Sequence, residues 1–262
     1  MFSADTAIII PARYSSTRFP GKPLALLAGK MMLARVWANA SAAMLGADGV
    51  FIATDDDRIE AAAKSWGANV IRTSPRCENG SERSLEASNA LPASVKFIIN
   101  LQGDSPLVPP TVIRELIEFR RRQTSEIVTS AIELSAEYAA EVRRTPERWG
   151  AGTYVTIDQN SRALYFSRYP IPFIRDRNSD APLLKHVGIY GYTRESLAQY
   201  VNLAPSKLED AEKLEQLRAL EGGFSISVAL CDLGGRTLVS VDTLEDLRRA
   251  AEVIQIEGEL LG

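Results

Sequence analysis

Short apolar runs alternate along this chain with longer segments in which apolar residues recur every three or four positions. The short runs predict buried strands, at residues 8–10, 50–53, 95–101, 127–134 and 187–192. The longer segments predict helices, at residues 31–45, from about 58 onward, at 208–221 and at 244–257. This alternation is typical of a parallel sheet covered by helices. Between about residues 145 and 184 the pattern becomes irregular, which predicts strands and loops that cover a pocket.

The first strand runs directly into a basic loop. Pro11 ends the apolar run, and Arg13, Arg18 and Lys22 follow within a few residues. In an open α/β sheet, ligands bind at the carboxyl ends of the strands, so we expect these three cations to meet there around an anion such as a triphosphate. The loop lacks the Walker A motif G-x-x-x-x-G-K-[ST] of ATPases and the dinucleotide-binding motif G-x-G-x-x-G of dehydrogenases. The sequence therefore argues against an ATPase or dehydrogenase that uses either loop.

Composition narrows the class of protein only slightly. A net charge of -3 over 262 residues argues against non-specific binding of nucleic acid. No window approaches the length of a membrane span, and the first residues do not resemble a signal peptide, so we expect a cytoplasmic protein with no membrane partner. Cys77 and Cys231 are far apart and form no C-x-x-C pair, so the sequence predicts neither a zinc site nor a disulfide.

Two aspartates stand at predicted element boundaries. Asp104 follows the strand 95–101 within Gln-Gly-Asp, and Asp242 precedes the last helix. Mg²⁺ is bound by one or two carboxylates together with substrate phosphates and water, which makes this pair a candidate magnesium site. A turn at Asp104 and a helix N-cap at Asp242 are the structural alternatives. Asp55, Asp56 and Asp57 lie at the start of a helix, where we expect them to cap it and not to bind a metal.

Several segments, in order along the chain, resemble those of one enzyme family. They are PARYSSTRFPGKPL at 11–24, NLQGD at 100–104, ALYFSR at 163–168, KHVGIYGY at 185–192, LEQLR at 214–218 and VDT at 241–243. Together they are similar to the 3-deoxy-manno-octulosonate (Kdo) cytidylyltransferases. The similarity runs from about Ile8 to about Arg249, which is nearly the whole chain.

The resemblance implies a fold and a reaction. The fold is α/β: a Rossmann-like mixed, mostly parallel sheet flanked by helices, of the nucleotide-diphospho-sugar transferase type, with a smaller insertion or arm. It implies one nucleotidyltransferase domain over residues 1–262, in which residues 145–190 cover the substrate or form a homodimer interface. The reaction joins CTP to a 3-deoxy-2-keto sugar acid, releases pyrophosphate and uses Mg²⁺.

The same resemblance implies roles for individual residues. Catalysis falls to Arg13, Lys22, Asp104 and Asp242, of which the two aspartates bind the metal. The nucleotide-binding residues are Pro11, Ala12, Arg13, Ser15, Lys22, Asn79, Gly80, Ser81, Arg83 and Gln102. The sugar-binding residues are Arg168, His186, Tyr190, Glu215 and Gln216. Judged without the family, His186 is a structural residue, Arg168 a surface ion-pair residue, and Glu215 and Gln216 a solvated helix face.

The chain departs from the family pattern near the expected substrates. Asn79 and Ser81 replace serine and threonine in the S-G-T-E-R loop, Ser105 stands where many relatives have an acid or amide, and Tyr154 replaces a lysine. A lost cation changes how a sugar carboxylate is held, so the 8-amino-3,8-dideoxy analogue of Kdo, or another sugar acid, is the alternative substrate. Sialic acid is less favoured. A non-catalytic nucleotide- or sugar-acid-binding protein is the alternative from another class, and retention of both aspartates argues against it.

Overall fold

The computed structural model describes residues 5–15, 18–44, 46–146, 152–176 and 179–261. Ser16 and Thr17 of the basic loop, and residues 147–151 and 177–178 of the predicted covering segment, lie outside the described residues. The chain divides into two compact units. The first unit comprises Met1–Arg114, Gly191–Val201 and Leu233–Gly262, and the second comprises Glu115–Tyr190 and Asn202–Asp232.

The strands, in chain order, are β1 (Thr6–Pro11), β2 (Leu26–Leu27), β3 (Lys30–Met31), β4 (Val50–Thr54), β5 (Asn69–Arg72), β6 (Phe97–Leu101), β7 (Ile127–Glu133), β8 (Tyr154–Ile157), β9 (Ala163–Ser167), β10 (Leu184–Thr193) and β11 (Ile226–Leu230). The α-helices are α1 (Met32–Met44), α2 (Asp57–Ser65), α3 (Gly80–Ser88), α4 (Pro110–Arg121), α5 (Ala136–Arg144), α6 (Arg194–Val201), α7 (Lys207–Glu212), α8 (Gln216–Glu221) and α9 (Leu244–Glu257). A 3₁₀ turn covers Lys22–Leu24.

The first unit contains the parallel strands β6, β1, β4 and β5, side by side in that order. Ile8 lies opposite Val50 on one side and Ile99 on the other. Its side chain, like those of Ile9 and Ile10, is fully buried, as expected for a central parallel strand covered on both faces. The loops after β1, β4 and β6 therefore leave the sheet at one edge.

Helix starts in the first unit follow the capping chemistry expected from the sequence. The Asp56 carboxylate accepts hydrogen bonds from the backbone N–H of Arg58 and Ile59, which confirms the capping interpretation of the aspartate triplet. Thr243 and Asp246 form a capping box at the start of α9. The predicted last helix is confirmed, and the helix predicted at 31–45 occurs as α1.

In the second unit, β7 and β11 are parallel, whereas β8 pairs antiparallel with β9 and with β10. Both β8 and β9 lie in the segment expected to be irregular. In β9, the Leu164 side chain is 62% exposed while Phe166 is fully buried. Leu164 has no partner residue in β8, because a register shift lies between the pairs Thr156–Tyr165 and Ile157–Ala163, and such a bulge interrupts the alternating pattern in the sequence.

One predicted helix is wrong. The sequence indicated a continuous helix over residues 208–221, but α7 ends at Glu212 and α8 begins at Gln216. Lys213 lies between them with φ of 53°, in the left-handed region that ends helices. Apolar residues recur every three positions across this break, at Leu208, Ala211, Leu214, Leu217 and Leu220, so periodicity gives no sign of it.

Within the described residues, no helix is both long and apolar enough to cross a membrane. The expectation of one nucleotidyltransferase domain over residues 1–262 stays a prediction.

Candidate active site

The basic loop after β1 turns back on itself to place Lys22. The backbone N–H of Gly21 donates to the carbonyl oxygen of Tyr14 at 3.0 Å, which closes the loop. Gly21 has φ of 73°, and a Cβ there would lie 3.0 Å from the Tyr14 hydroxyl oxygen. Both facts require glycine at this position. The 3₁₀ turn begins at the next residue, so the loop closure fixes where the Lys22 side chain starts.

The Lys22 ammonium is shared by two carboxylates. Its Nζ lies 3.1 Å from Asp104 Oδ2 and 3.1 Å from Asp242 Oδ1. The Lys22 side chain is only 14% exposed, so this charge is largely removed from water and depends on its partners. The structure thus brings together three of the four residues that the sequence assigned to catalysis.

The two aspartates are brought together by backbone geometry. Asp104 follows Gly103, where a Cβ would lie 3.0 Å from the carbonyl oxygen of Pro11, so the chain passes very close to the end of β1. The N–H of Val241 donates to the carbonyl oxygen of Asp104 at 2.9 Å. The N–H of Asp242 in turn donates to the Asp246 carboxylate of the α9 capping box.

Asp104 and Asp242 fit a magnesium ion by donor type. Each offers oxygen atoms, the ligands that Mg²⁺ prefers, and one oxygen of each already faces a common cation. Among the described residues, no three His, Cys, Asp or Glu side chains form a metal-binding group. Two carboxylates are nevertheless the usual protein contribution when substrate phosphates complete the coordination. Ser105, one of the departures from the family pattern, donates to Asp104 Oδ1 at 3.3 Å.

The three loop cations do not all meet, contrary to the sequence expectation. Arg18 reaches Asp242 Oδ1 at 3.2 Å, on the same carboxylate oxygen as Lys22. Arg13 is exposed and donates to the carbonyl oxygen of Glu78 at 3.1 Å. Two of the cations have aspartates as partners, which the charge count of the loop alone could not show. Ser15 is exposed on the same loop.

The segment Asn79-Gly80-Ser81-Glu82-Arg83 begins α3 beside the loop after β6. Asn79 caps the helix, because its side chain accepts from the N–H of Glu82. A Cβ on Gly80 would lie 3.2 Å from both Gln102 Oε1 and Pro11 Cγ, so the predicted nucleotide-binding residues Pro11, Gly80 and Gln102 do meet. Gln102 Nε2 donates to the buried Asn100 side chain, which leaves Oε1 as an acceptor.

Three other predicted nucleotide-binding residues are buried. Ala12 donates its N–H to the carbonyl oxygen of Ala53, so only its carbonyl can serve a base. Ser81 is buried in the first turn of α3. Arg83 is 3% exposed and donates to the Thr73 hydroxyl, with Asp55 2.9 Å away. In this structure Arg83 joins α3 to the loops after β4 and β5.

A cluster that was not expected from the sequence supports the basic loop. The guanidinium carbon of Arg58 lies 3.3 Å from the centre of the Tyr14 ring, in a cation–π contact. Asp56 holds the same guanidinium with hydrogen bonds to Nε and Nη2 and thereby lowers its own pKa. Tyr14 is the residue whose carbonyl closes the loop at Gly21. Nothing in the spacing of these residues indicates the contact.

In the second unit, Arg168 is anchored by backbone carbonyls. It donates to the carbonyl oxygens of Glu212 at 3.3 Å and Lys213 at 3.2 Å, where the left-handed turn ends α7. The Glu212 carboxylate accepts from the Ser167 hydroxyl and from the backbone N–H of Arg168. The Arg168 side chain is exposed, and its position is fixed without neutralising its charge. Glu212 was not anticipated from the sequence.

His186 lies half-buried in β10, with aromatic rings on two sides. Its ring centre lies 5.2 Å from that of Phe166 and 5.4 Å from that of Tyr190. Its Nε2 lies 2.8 Å from the Thr129 hydroxyl oxygen. Burial lowers the pKa of His186 to about 3, with a further contribution from the positive charge of Arg168. The ring is therefore neutral at neutral pH.

The remaining predicted sugar-binding residues lie at the start of α8. Glu215 precedes the helix and is exposed, whereas Gln216 is 8% exposed. Tyr154, where the family has lysine, is buried with Ala139, Val142 and Leu183 in an apolar cluster. The Tyr154 side chain belongs to this core. Its position therefore gives no support to the expectation that tyrosine in place of lysine alters sugar selection.

Comparisons with known proteins identify the family. Residues 7–226 match the family model described as Cytidylyltransferase, which is well over half of the chain. The chain belongs to the cytidylyltransferase family. This cytidylyltransferase is 47% identical over 255 residues to the 3-deoxy-manno-octulosonate cytidylyltransferase of Maricaulis maris, covering 97% of the chain and 98% of that relative. It is 40% identical over 254 residues to the 8-amino-3,8-dideoxy-manno-octulosonate cytidylyltransferase of Shewanella baltica, covering 97% and 100%.

Solved structures confirm the fold. The cytidylyltransferase chain is similar to a CMP:2-keto-3-deoxy-manno-octonic acid synthetase complexed with CTP, with a TM-score of 0.82, 35% identity, and coverage of 97% of this chain and 100% of that one. A cytidylyltransferase from Leptospira borgpetersenii shares the fold at a TM-score of 0.59 and 16% identity, with coverage of 98% and 96%. The predicted mixed, mostly parallel sheet flanked by helices is thus confirmed.

Proposed function

We propose that this cytidylyltransferase transfers CMP from CTP to the anomeric hydroxyl of Kdo, giving CMP-Kdo and pyrophosphate. The observation that carries the proposal is the shared position of Lys22 between Asp104 and Asp242. This arrangement gathers one cation and two carboxylates at the edge where ligands bind in α/β sheets. The relative from Maricaulis maris, whose name states this activity, supports the choice of sugar.

The chemistry needs positioning and charge neutralisation more than a protein nucleophile. The anomeric hydroxyl oxygen attacks the α-phosphorus and its proton passes to water, while the bond from that phosphorus to the bridging oxygen breaks and pyrophosphate departs. Negative charge builds on the phosphate oxygens during this step. Lys22 and Arg13 would neutralise it, and Lys22 would move from the carboxylates to the phosphates when CTP binds.

Magnesium dependence is part of the proposal. Asp104 and Asp242 would hold Mg²⁺, with nucleotide phosphates and water as its other ligands. When bound, the ion would supply positive charge to the phosphate oxygens and help to orient the nucleotide. The Val241 to Asp104 hydrogen bond and the Asp246 capping box would keep the two carboxylates in place for it.

Nucleotide recognition is assigned to the residues around the ends of β1 and β6 and the start of α3. They are Pro11, Ala12, Arg13, Ser15, Lys22, Asn79, Gly80, Ser81, Arg83 and Gln102. Gln102 donates through Nε2 to Asn100, so its Oε1, which the lack of a Cβ at Gly80 leaves uncrowded, can accept a hydrogen bond from the cytosine amino group. Arg83 and Ser81 would contribute to nucleotide binding indirectly, by holding the start of α3 in place.

Recognition of the sugar acid is assigned to Arg168, His186, Tyr190, Glu215 and Gln216. Arg168 is suited to the carboxylate, because its guanidinium is exposed while neutral carbonyls hold it in place. His186 is neutral and is not suited to that charge.

The 8-amino analogue of Kdo is the second candidate substrate, because the relative from Shewanella baltica, which is 40% identical, is named as the cytidylyltransferase for that sugar.

The choice of substrate is tested by incubating the protein with CTP and Mg²⁺ and with Kdo, 8-amino-Kdo or N-acetylneuraminate in parallel. Mass spectrometry of the CMP-sugar identifies the product. A higher kcat/KM with Kdo supports the proposal, and a higher value with 8-amino-Kdo favours the second candidate. No product with any of the three would contradict both.

We also propose that the protein is a cytoplasmic homodimer whose product supplies lipopolysaccharide or capsule synthesis. These points follow from the family resemblance. Analytical ultracentrifugation tests the dimer, and the loss of Kdo from surface polysaccharide in a deletion strain tests the pathway. A monomer, or unchanged polysaccharide, would contradict the corresponding point.

A further inference from the structure

Thr129 is buried in β7 of the second unit, and its Oγ1 contacts three groups of β10, of which the carbonyl oxygen of Val187, 3.5 Å away, is the most distant. Its Oγ1 lies 2.8 Å from His186 Nε2 and 2.7 Å from the carbonyl oxygen of Ile189. The Thr129 side chain is fully buried, so water does not compete for these contacts. The sequence around Thr129, an ordinary strand segment, gives no sign of this role.

The protons of this cluster can be assigned by counting. A hydroxyl oxygen and a carbonyl oxygen 2.7 Å apart need a proton between them, and the carbonyl has none. The single Thr129 hydroxyl proton is therefore donated to Ile189. Toward the ring, Oγ1 can then only accept, so His186 Nε2 must carry a proton.

The other ring nitrogen is left as an acceptor. A neutral imidazole has one protonated nitrogen, and the His186 ring is neutral because burial and the nearby positive charge of Arg168 disfavour the cation. With the proton on Nε2, Nδ1 keeps its lone pair. Among the described residues, His186 has Thr129 as its side-chain hydrogen-bond partner, and Phe166 and Tyr190 contact the ring through their aromatic faces and edges.

We propose that Thr129 is a positioning residue that fixes His186 as the Nε2–H tautomer. Nδ1 then accepts a hydrogen bond from a hydroxyl or ammonium group of the substrate and does not bind the substrate's carboxylate. The identity of the substrate rests on the proposed function, but the tautomer does not. A carboxylate has no proton to donate to Nδ1 at neutral pH and is repelled by its lone pair. Selection for a neutral or cationic donor on the sugar then falls to His186, and selection for the acid falls to Arg168.

The chain offers a direct test because His186 is its only histidine. In untagged protein labelled with ¹⁵N-histidine, NMR will show one pair of ring nitrogens. We expect a protonated Nε2 and an unprotonated Nδ1 at neutral pH, unchanged on acidification to about pH 5. A protonated Nδ1, a mixture of tautomers or an imidazolium signal in the wild-type protein would overturn the proposal.

Variants separate positioning from simple packing. Thr129→Val keeps the shape but removes the acceptor, so the Nδ1–H form should become populated and the KM for the sugar should rise about tenfold. The KM for CTP should stay within about twofold, because the ring does not serve the nucleotide. Thr129→Ser should restore both the spectrum and the sugar KM. Ser130→Ala is the matched control, since that buried hydroxyl contacts Val187 and not the ring.

The outcomes distinguish this inference from the proposed function. If Thr129→Val keeps the pure Nε2–H form, or keeps the wild-type sugar KM while the tautomer changes, the positioning role is wrong. If the wild-type spectrum shows Nε2–H but no sugar acid is converted, the tautomer assignment holds and the proposed function fails. Should the valine variant not fold, the wild-type and Thr129→Ser spectra still decide the tautomer.

Discussion

The backbone N–H of Val241 donates a hydrogen bond of 2.9 Å to the carbonyl oxygen of Asp104. It joins the loop after β6 to the segment before α9, two regions that are far apart in the sequence. The contact is made by the main chain, so it does not depend on the Asp104 carboxylate. Substitutions of that carboxylate can therefore change the charge of the site while leaving its backbone in place.

Asp246→Ala should lower both stability and activity. Asp246 accepts from the N–H of Asp242 and from the N–H and hydroxyl of Thr243. Loss of a helix cap of this kind costs about 1 kcal/mol in the free energy of unfolding, and kcat should fall because Asp242 loses its anchor. Urea unfolding and steady-state kinetics measure the two effects. Glu245→Ala, an exposed acid in the same helical turn, is the control and should change neither.

The stability effect of Asp246 should depend on pH. Burial alone would raise its pKa, but the hydrogen bonds from Thr243 and Asp242 outweigh burial and hold the pKa below the ordinary value of 3.8. A lowered carboxyl pKa stabilises the folded chain above the unfolded value, and this contribution is lost as the pH falls through the folded value. The difference in urea midpoint between wild type and Asp246→Ala should shrink below pH 3.8, and a difference that grows there would refute the assignment.

Lys22→Met should lower kcat by about 100-fold or more, because the phosphate charge loses a fixed cation. The same substitution should tighten binding of Mn²⁺, used in place of Mg²⁺, in the absence of nucleotide. The ammonium contacts Asp104 Oδ2 and Asp242 Oδ1, so its removal frees the first oxygen and leaves the second with Arg18 as its one cation among these contacts, which favours a metal ion. Electron paramagnetic resonance titration measures the binding, and Lys22→Arg, which keeps the charge, is the comparison. Weaker Mn²⁺ binding by the methionine variant would argue against a shared site.

Arg58→Gln should raise the KM for CTP about two- to fivefold with little change in kcat, because a cation–π contact of this type is worth about 0.5 to 1 kcal/mol. The contact supports Tyr14, whose carbonyl closes the basic loop. Arg72→Gln is the matched control, since Arg72 pairs with Asp57 and Glu60 of the same helix but does not contact Tyr14. Equal effects of the two substitutions on KM would show that general charge, and not loop support, is responsible.

Lys213→Gly should stabilise the protein by about 0.5 to 1 kcal/mol, because glycine adopts the left-handed conformation without the penalty of a side chain. The lost ion pair with Asp210 is exposed and contributes little. Arg168 contacts the carbonyl of residue 213 and should keep that contact. Chemical denaturation measures the change, and a net loss of stability would contradict the role assigned to this turn.

The sequence predicted buried parallel strands well because their signal is local and continuous. Ile8, Ile9 and Ile10 are apolar in succession and buried on both faces. The helix capped by Asp56 was predictable for the same reason, since the cap lies within three residues of the N–H groups it binds. The break at Lys213 was not predictable, because a lysine in the left-handed conformation has no distinctive pattern around it.

For the candidate site, the sequence indicated which residues matter more reliably than what they touch. Resemblance singled out Lys22, Asp104 and Asp242, and the structure brings them together. The support from Val241 and the tautomer-fixing contact of Thr129 depend on which segments lie side by side in three dimensions. The charge of the loop also predicted that its three cations meet around a bound anion. In the structure, Lys22 and Arg18 instead pair with the Asp242 carboxylate.

The catalytic role of Asp104 is tested by the rate of pyrophosphate release from CTP, Mg²⁺ and Kdo. The rate is measured for wild type, for Asp104→Asn and for the control Asp48→Asn, which changes an exposed aspartate. We expect release by the wild type and the control, and a loss of about 100-fold or more in Asp104→Asn. Circular dichroism should show the same fold in all three, because the Val241 hydrogen bond uses the backbone of residue 104. A folded Asp104→Asn variant with the wild-type rate would contradict the assignment of catalysis to Lys22, Asp104 and Asp242.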